Sequence, residues 1–118
     1  MDYQEAIAAD MTALMAELGE EITVYPKSGN SSYGPVFGAG VTETAYIESG
    51  NKVVTDKKGQ EVVASLFSIH GGDCTIKIED EMVYDDDRYA AIAVDKFRQA
   101  GDVLQVEVHW GSVRSLRV

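Results

Sequence analysis

The side chains best equipped for chemistry sit close together in the second half of the chain. Residues 73–87 carry seven acids, Asp73, Glu79, Asp80, Glu81, Asp85, Asp86 and Asp87, against the single base Lys77, and Asp95 follows. Carboxylates at this density could hold Ca²⁺ or Mg²⁺, which take oxygen ligands. Their spacing matches no EF-hand loop, since the alternating Asp run with its Gly and closing Glu is absent, and a solvated turn is the favoured reading. His70, Cys74 and His109 are the soft metal ligands. Zinc usually takes four ligands, commonly in close pairs, so three spread ones predict no metal site. A Cys–His nucleophilic pair can be drawn on paper. Cys74, however, opens an alternating apolar stretch, where cysteine serves as a small buried hydrophobe. No Gly-x-Ser-x-Gly elbow is present. The Gly34, Gly38, Gly40 spacing lacks the strand-then-helix setting of a dinucleotide fingerprint, and there is no P-loop Gly-Lys-Ser/Thr. Asn30-Ser31-Ser32 matches a glycosylation sequon, which matters only in a secreted chain. The expectation is a protein that is not an enzyme and uses no cofactor.

Size and charge narrow the partners. The chain has 118 residues, 45% of them hydrophobic, enough for one domain with its own core. One cysteine rules out an intramolecular disulfide and fits a reducing compartment. The N-terminus lacks the basic start and apolar run of a signal peptide, and no window approaches a membrane span, so a soluble, non-exported protein without membrane partners is expected. The net charge of −10 opposes gripping nucleic acid, because an acidic surface repels phosphates. It is compatible with surrounding DNA without holding it.

The elements that must position these groups read as one helix followed by strands. In residues 2–19, Ile7, Met11, Leu14 and Leu18 fall on one helical face, Asp2 can cap the start and Gly19 the end. Residues 21–27 and 41–49 alternate as strands, and Gly50-Asn51 is expected to turn the chain. Between them, residues 28–40 are glycine-rich and form the one long irregular, mobile loop of the reading. Tyr33, Val36 and Phe37 there either tuck onto the domain or contact a neighbouring subunit. Residues 52–56 and 61–65 flank a glycine-containing link and signal a hairpin. The strand continues to Ile69 with both faces apolar, so its second face needs a cover. Residues 74–79, 89–97 and 103–110 complete the ladder, the last with clean alternation and Trp110 as an anchor. Tyr46, Tyr89 and Phe97 read as core residues. Residues 111–118 form a last short strand or a tail with Arg114 and Arg117. The fold class is therefore mostly β, a small antiparallel β-barrel or sandwich with one N-terminal helix, the barrel covering residues 21–110.

The order of these elements, with the segments at residues 56–65, 72–78, 88–97 and 104–108, resembles the head-completion proteins of tailed bacteriophages, also called head-tail connector or stopper proteins. The resemblance covers roughly residues 20–110 and is one of pattern and order. Cys74 and the acidic turn at residues 79–87 depart from the family. What the resemblance implies is a small barrel forming a six- or twelve-fold ring beneath the portal, in the virion neck after assembly in the host cytoplasm. It would close the DNA-filled head and present a surface to the tail. The 28–40 loop would reach a neighbour or the channel, and Arg114 and Arg117 would dock on an acidic partner. Glu79, Asp80, Glu81, Asp85, Asp86 and Asp87 would keep the duplex from sticking. A tail-terminator or other neck ring protein and a non-viral barrel that binds a ligand or peptide are the other readings.

Overall fold

The computed structural model describes residues 18–113. They form eight strands: β1 (Glu20–Tyr25), β2 (Lys27–Ser31), β3 (Gly34–Phe37), β4 (Val41–Thr55), β5 (Glu61–Gly71), β6 (Glu81–Tyr84), β7 (Asp87–Gln99) and β8 (Asp102–Ser112). Six of them close into an antiparallel barrel in the order β1-β4-β5-β8-β7-β6, while β2 and β3 form a separate hairpin. The β1–β6 seam closes the barrel, with Val24 opposite Met82 and Tyr25 opposite Glu81. Closure gives every wall strand two neighbours over part of its length, which shortens the exposed sheet edges that invite pairing with other chains. The helix expected over residues 2–19 lies, apart from its last two positions, outside the described residues, as do Arg114 and Arg117.

The period-2 pattern decides which side chains enter the barrel. Ile22 and Val24 of β1, Ala64 and Leu66 of β5, and Val106, Val108 and Trp110 of β8 are buried, joined by Ala45, Met82 and Ala91. Trp110 is a core residue, as expected. Its indole N–H donates to Ser68 Oγ at 2.8 Å, which satisfies a polar atom carried deep into the core.

The structure corrects several sequence expectations. Gly50-Asn51 does not turn the chain. It is a bulge inside the 15-residue β4, where Ser49 faces Leu66 and Lys52 already faces Ala64. A bulge bends a long strand; this one lies within the part of β4 that pairs with β5, residues 46–55, while residues 41–45 pair with β1. Residues 74–79 are not a strand. Cys74 and Ile76 are buried alternately, but the segment has no ladder partner and acts as a strap between β5 and β6. Alternation reported burial there, not pairing. Residues 28–40 are not an irregular loop, since most of them belong to the β2–β3 hairpin. Residues 81–84, short and flanked by acids, are the strand that closes the barrel. Phe97 is 61% exposed and not in the core. Its partner across the ladder is Gln105, on the outward face of β8.

Candidate functional site

The projecting features of the barrel meet at the acidic segment. The β2–β3 hairpin leaves β1 through Pro26, whose carbonyl accepts the Gly38 N–H at 2.7 Å and pins the hairpin base. The strap ends beside it. Asp80, 4% exposed, accepts the Lys27 backbone N–H through Oδ1 at 3.0 Å and the Lys77 N–H through Oδ2 at 2.8 Å. The Glu79 N–H donates to the Ala91 carbonyl at 2.9 Å, and the Ala91 N–H to the Asp80 carbonyl at 2.8 Å. These two bonds stitch the strap to β7 just before Ile92, where its register with β8 shifts.

Glu79 then takes two lysines. Lys27 Nζ, at the hairpin base, lies 2.8 Å from Oε2, and Lys57 Nζ, from the β4–β5 turn, lies 2.5 Å from Oε1. Hydrogen bonds from these two ammonium groups hold the Glu79 carboxyl below its usual range. Glu79 therefore clasps two protrusions of the fold, the β2–β3 hairpin and the tip of the β4–β5 hairpin. Asp56 builds that tip. Its carbonyl accepts the Gly59 N–H at 3.0 Å, and its Oδ1 accepts the N–H groups of Lys58 and Gln60 at 2.9 Å each. A cleft of 420 Å³ lies between the two protrusions, lined among others by Phe37, Lys58, Val62, Ile78 and Ile92.

Glu81 is fully buried and meets Arg88 Nε at 2.8 Å through Oε1. The Arg88 guanidinium also lies over the Phe37 ring, 5.7 Å from its centroid, which draws β3 towards the barrel. Glu79, Asp80 and Glu81 thus serve the fold, and two of the three are buried. Asp80 and Glu81 are too buried to present their carboxylates to a channel, while Glu79 keeps part of its side chain exposed. Asp85, Asp86 and Asp87 remain exposed at the β6–β7 turn. Of the expected interface residues, Tyr33 is fully exposed at the hairpin tip, Val36 is exposed, and Phe37 is half-buried under Arg88.

The soft ligands are redistributed. His109 stands apart, stacked near Phe67 at 5.1 Å, and its 3.8 Å approach to Asp95 is too long for a hydrogen bond. His70 and Cys74 come together with Glu43. Sequence reasoning missed Glu43, since only the pairing of the strands brings β4 to the end of β5. No signal in the spacing could have found it.

No protein-family model matches the sequence, and no curated protein matches it significantly. Among solved structures the fold has a counterpart. The phage-like element PBSX protein xkdH from Bacillus subtilis superimposes with a TM-score of 0.52 over 83% of this chain and 96% of that chain, at 14% identity. The likeness is one of fold, over most of this chain and nearly all of that one.

Proposed function

We propose that this chain is a structural protein of a phage particle. In this reading it forms a six- or twelve-fold ring in the neck under the portal, closes the DNA-filled head and joins it to the tail. The observation that carries the reading is the match of fold, over 83% of this chain, with a protein of a phage-like element. The element order that resembles head-completion proteins points the same way. The chain is not an enzyme here. Its work is done by surfaces, and the fully exposed Tyr33 with Val36 at the tip of the β2–β3 hairpin is the contact to a neighbouring subunit. Large exposed apolar side chains on a projecting hairpin gain free energy once a partner covers them. The exposed carboxylates of Asp85, Asp86 and Asp87 face the duplex, which the ring surrounds and does not grip. Arg114 and Arg117 dock on an acidic surface of the portal or tail partner.

A barrel that binds a small ligand is the reading favoured by the 420 Å³ cleft, whose size falls within the usual range for ligand pockets. A tail-terminator ring is the third. Mass measurement of the purified chain mixed with portal rings separates them. The neck reading expects a ring-on-ring complex that Tyr33→Asp weakens at least about tenfold, the scale of one interface anchor. Binding to isolated tail tubes in place of portals would indicate a terminator. A chain that stays monomeric with both partners would overturn the ring altogether.

A further inference from the structure

One polar atom in the barrel core, Nδ1 of His70, has no hydrogen-bond partner among the described residues. His70 is 1% exposed. Its Nε2 is paired with Ser68 Oγ at 2.7 Å, and Ser68 Oγ in turn accepts the Trp110 N–H at 2.8 Å. The other ring nitrogen, Nδ1, is buried and has no hydrogen-bond partner. The Thr44 backbone approaches the ring and favours its protonated form. Buried polar atoms without partners are uncommon and ask for an explanation. The surroundings offer one, because a ring nitrogen of His70, Cys74 Sγ and a Glu43 carboxylate oxygen lie within 4.8 Å of one another.

We propose that His70 Nδ1, Cys74 Sγ and Glu43 bind one zinc ion. The donor set is imidazole, thiolate and carboxylate, which suits zinc and not the all-oxygen preference of Ca²⁺ or Mg²⁺. With Nε2 held by Ser68, Nδ1 is the nitrogen left for the metal. In that state the Nε2 proton is donated to Ser68 Oγ, the outer hydrogen bond that metal-bound histidines ordinarily make. The other two ligands are also held. Glu43 accepts hydrogen bonds from the Thr75 backbone and hydroxyl, and Cys74 from the Ile76 backbone. Bonds of about 2.0–2.3 Å in a tetrahedron place ligand atoms roughly 3.5 Å apart, so the site must contract by about 1 Å. Glu43 has a half-buried side chain and Cys74 lies outside any strand, so the contraction would fall on the side-chain torsions of these two.

Binding forms the Zn–S bond and releases the Cys74 proton to solvent. Burial and the nearby charges of Glu43 and Asp73 push the free thiol up to about 11, an environment that a bound cation would reverse. Water takes the fourth position from the Glu43 side. The ion would clip β4, β5 and the strap together, and so steady the segment that presents Glu79 and Asp80 to the β2–β3 hairpin. This inference is independent of the neck reading.

The test uses the full chain without a polyhistidine tag, stripped with chelator and titrated with Zn²⁺ or Co²⁺ alone. The proposal expects one ion per chain, a thermal midpoint that rises with zinc and falls again with chelator, and a thiolate-to-cobalt charge-transfer absorption. Cys74→Ser should abolish that absorption. Glu43→Gln, at a half-buried position where the fold tolerates change, should weaken zinc binding at least about tenfold, and Ser68→Ala by roughly 10- to 100-fold. Absence of stoichiometric binding overturns the site. So does equal affinity in Cys74→Ser and Glu43→Gln, which would place the ion on other residues.

Discussion

Single residues in this chain carry constraints that their types conceal. Gly72, at the start of the strap, is one: a Cβ there would run into the Val103 carbonyl, a backbone atom that cannot step aside. Gly72→Ala should therefore lower stability by at least ~2 kcal/mol in denaturant unfolding, in the range of overpacked cores. Arg88→Ala strips the buried Glu81 carboxylate of its cation and Phe37 of its cover, and should cost about 2 kcal/mol by the same measurement. His109 makes the fold sensitive to acid. Burial, followed by the charge of Lys52, holds its ring below the ordinary 6.5. The unfolded chain therefore takes up that proton first as pH falls. The contribution of a neutral, buried His109 is complete above pH 6.5 and is lost as pH falls through the lower folded value. Unfolding followed across that window should show a shallower acid-side loss in His109→Phe than in the parent chain. At this scale the sequence was partly legible. Trp110 was placed correctly because its strand alternates cleanly. Phe97 departs from the expectation because an aromatic residue near the end of an apolar strand looks like core until the register shows Gln105 opposite it. The partnership of Glu43, His70 and Cys74 could not be read at all, since it arises only when strands pair.

Among the elements, the turns set the registers. The β6–β7 and β7–β8 connections are two-residue loops whose residues all have positive φ: Asp85 and Asp86 in one, Ala100 and Gly101 in the other. This is the mirror-image turn whose twist suits a hairpin. Asp tolerates that conformation and Gly adopts it freely, but Ala at φ 51° carries a steric penalty of about 1–2 kcal/mol. Ala100→Asn should raise stability by roughly 0.5–1 kcal/mol, visible as a higher thermal midpoint with unchanged circular dichroism. The strong periodicities of β5 and β8 were legible because one side of each strand is buried along most of its length. The β2–β3 hairpin was not. Its residues are glycine, serine and asparagine with few apolar positions, and it is held by Asp80, Glu79 and Arg88 from distant parts of the chain. Strap and strand likewise look alike in sequence, because both bury alternate side chains.

For the whole molecule, the six wall strands close into a barrel and the β2–β3 hairpin stands apart from them, so in the proposed ring this hairpin is the natural contact. The β2–β3 hairpin with Tyr33 projects furthest in chemical terms, since its aromatic ring touches nothing in its own subunit. The Glu79 clasp to Lys27 and Lys57 sets the hairpin at a fixed angle to the β4–β5 tip, as a subunit contact in a ring requires. The mostly β character is legible in the frequent polar turns, but they leave barrel and sandwich open, and closure follows only from the β1–β6 pairing. The clasp is not legible, because it joins residues far apart in sequence. The central claim, a ring in the phage neck, is tested most directly by cryo-electron microscopy of particles assembled in cells with the parent chain and with Tyr33→Asp. The account predicts ring density directly below the portal in parent particles, with the β2–β3 hairpin against the adjacent subunit, and heads lacking that ring and leaking DNA in the variant. Particles in which the chain is absent from the neck, or in which Tyr33→Asp leaves the ring intact, would contradict it.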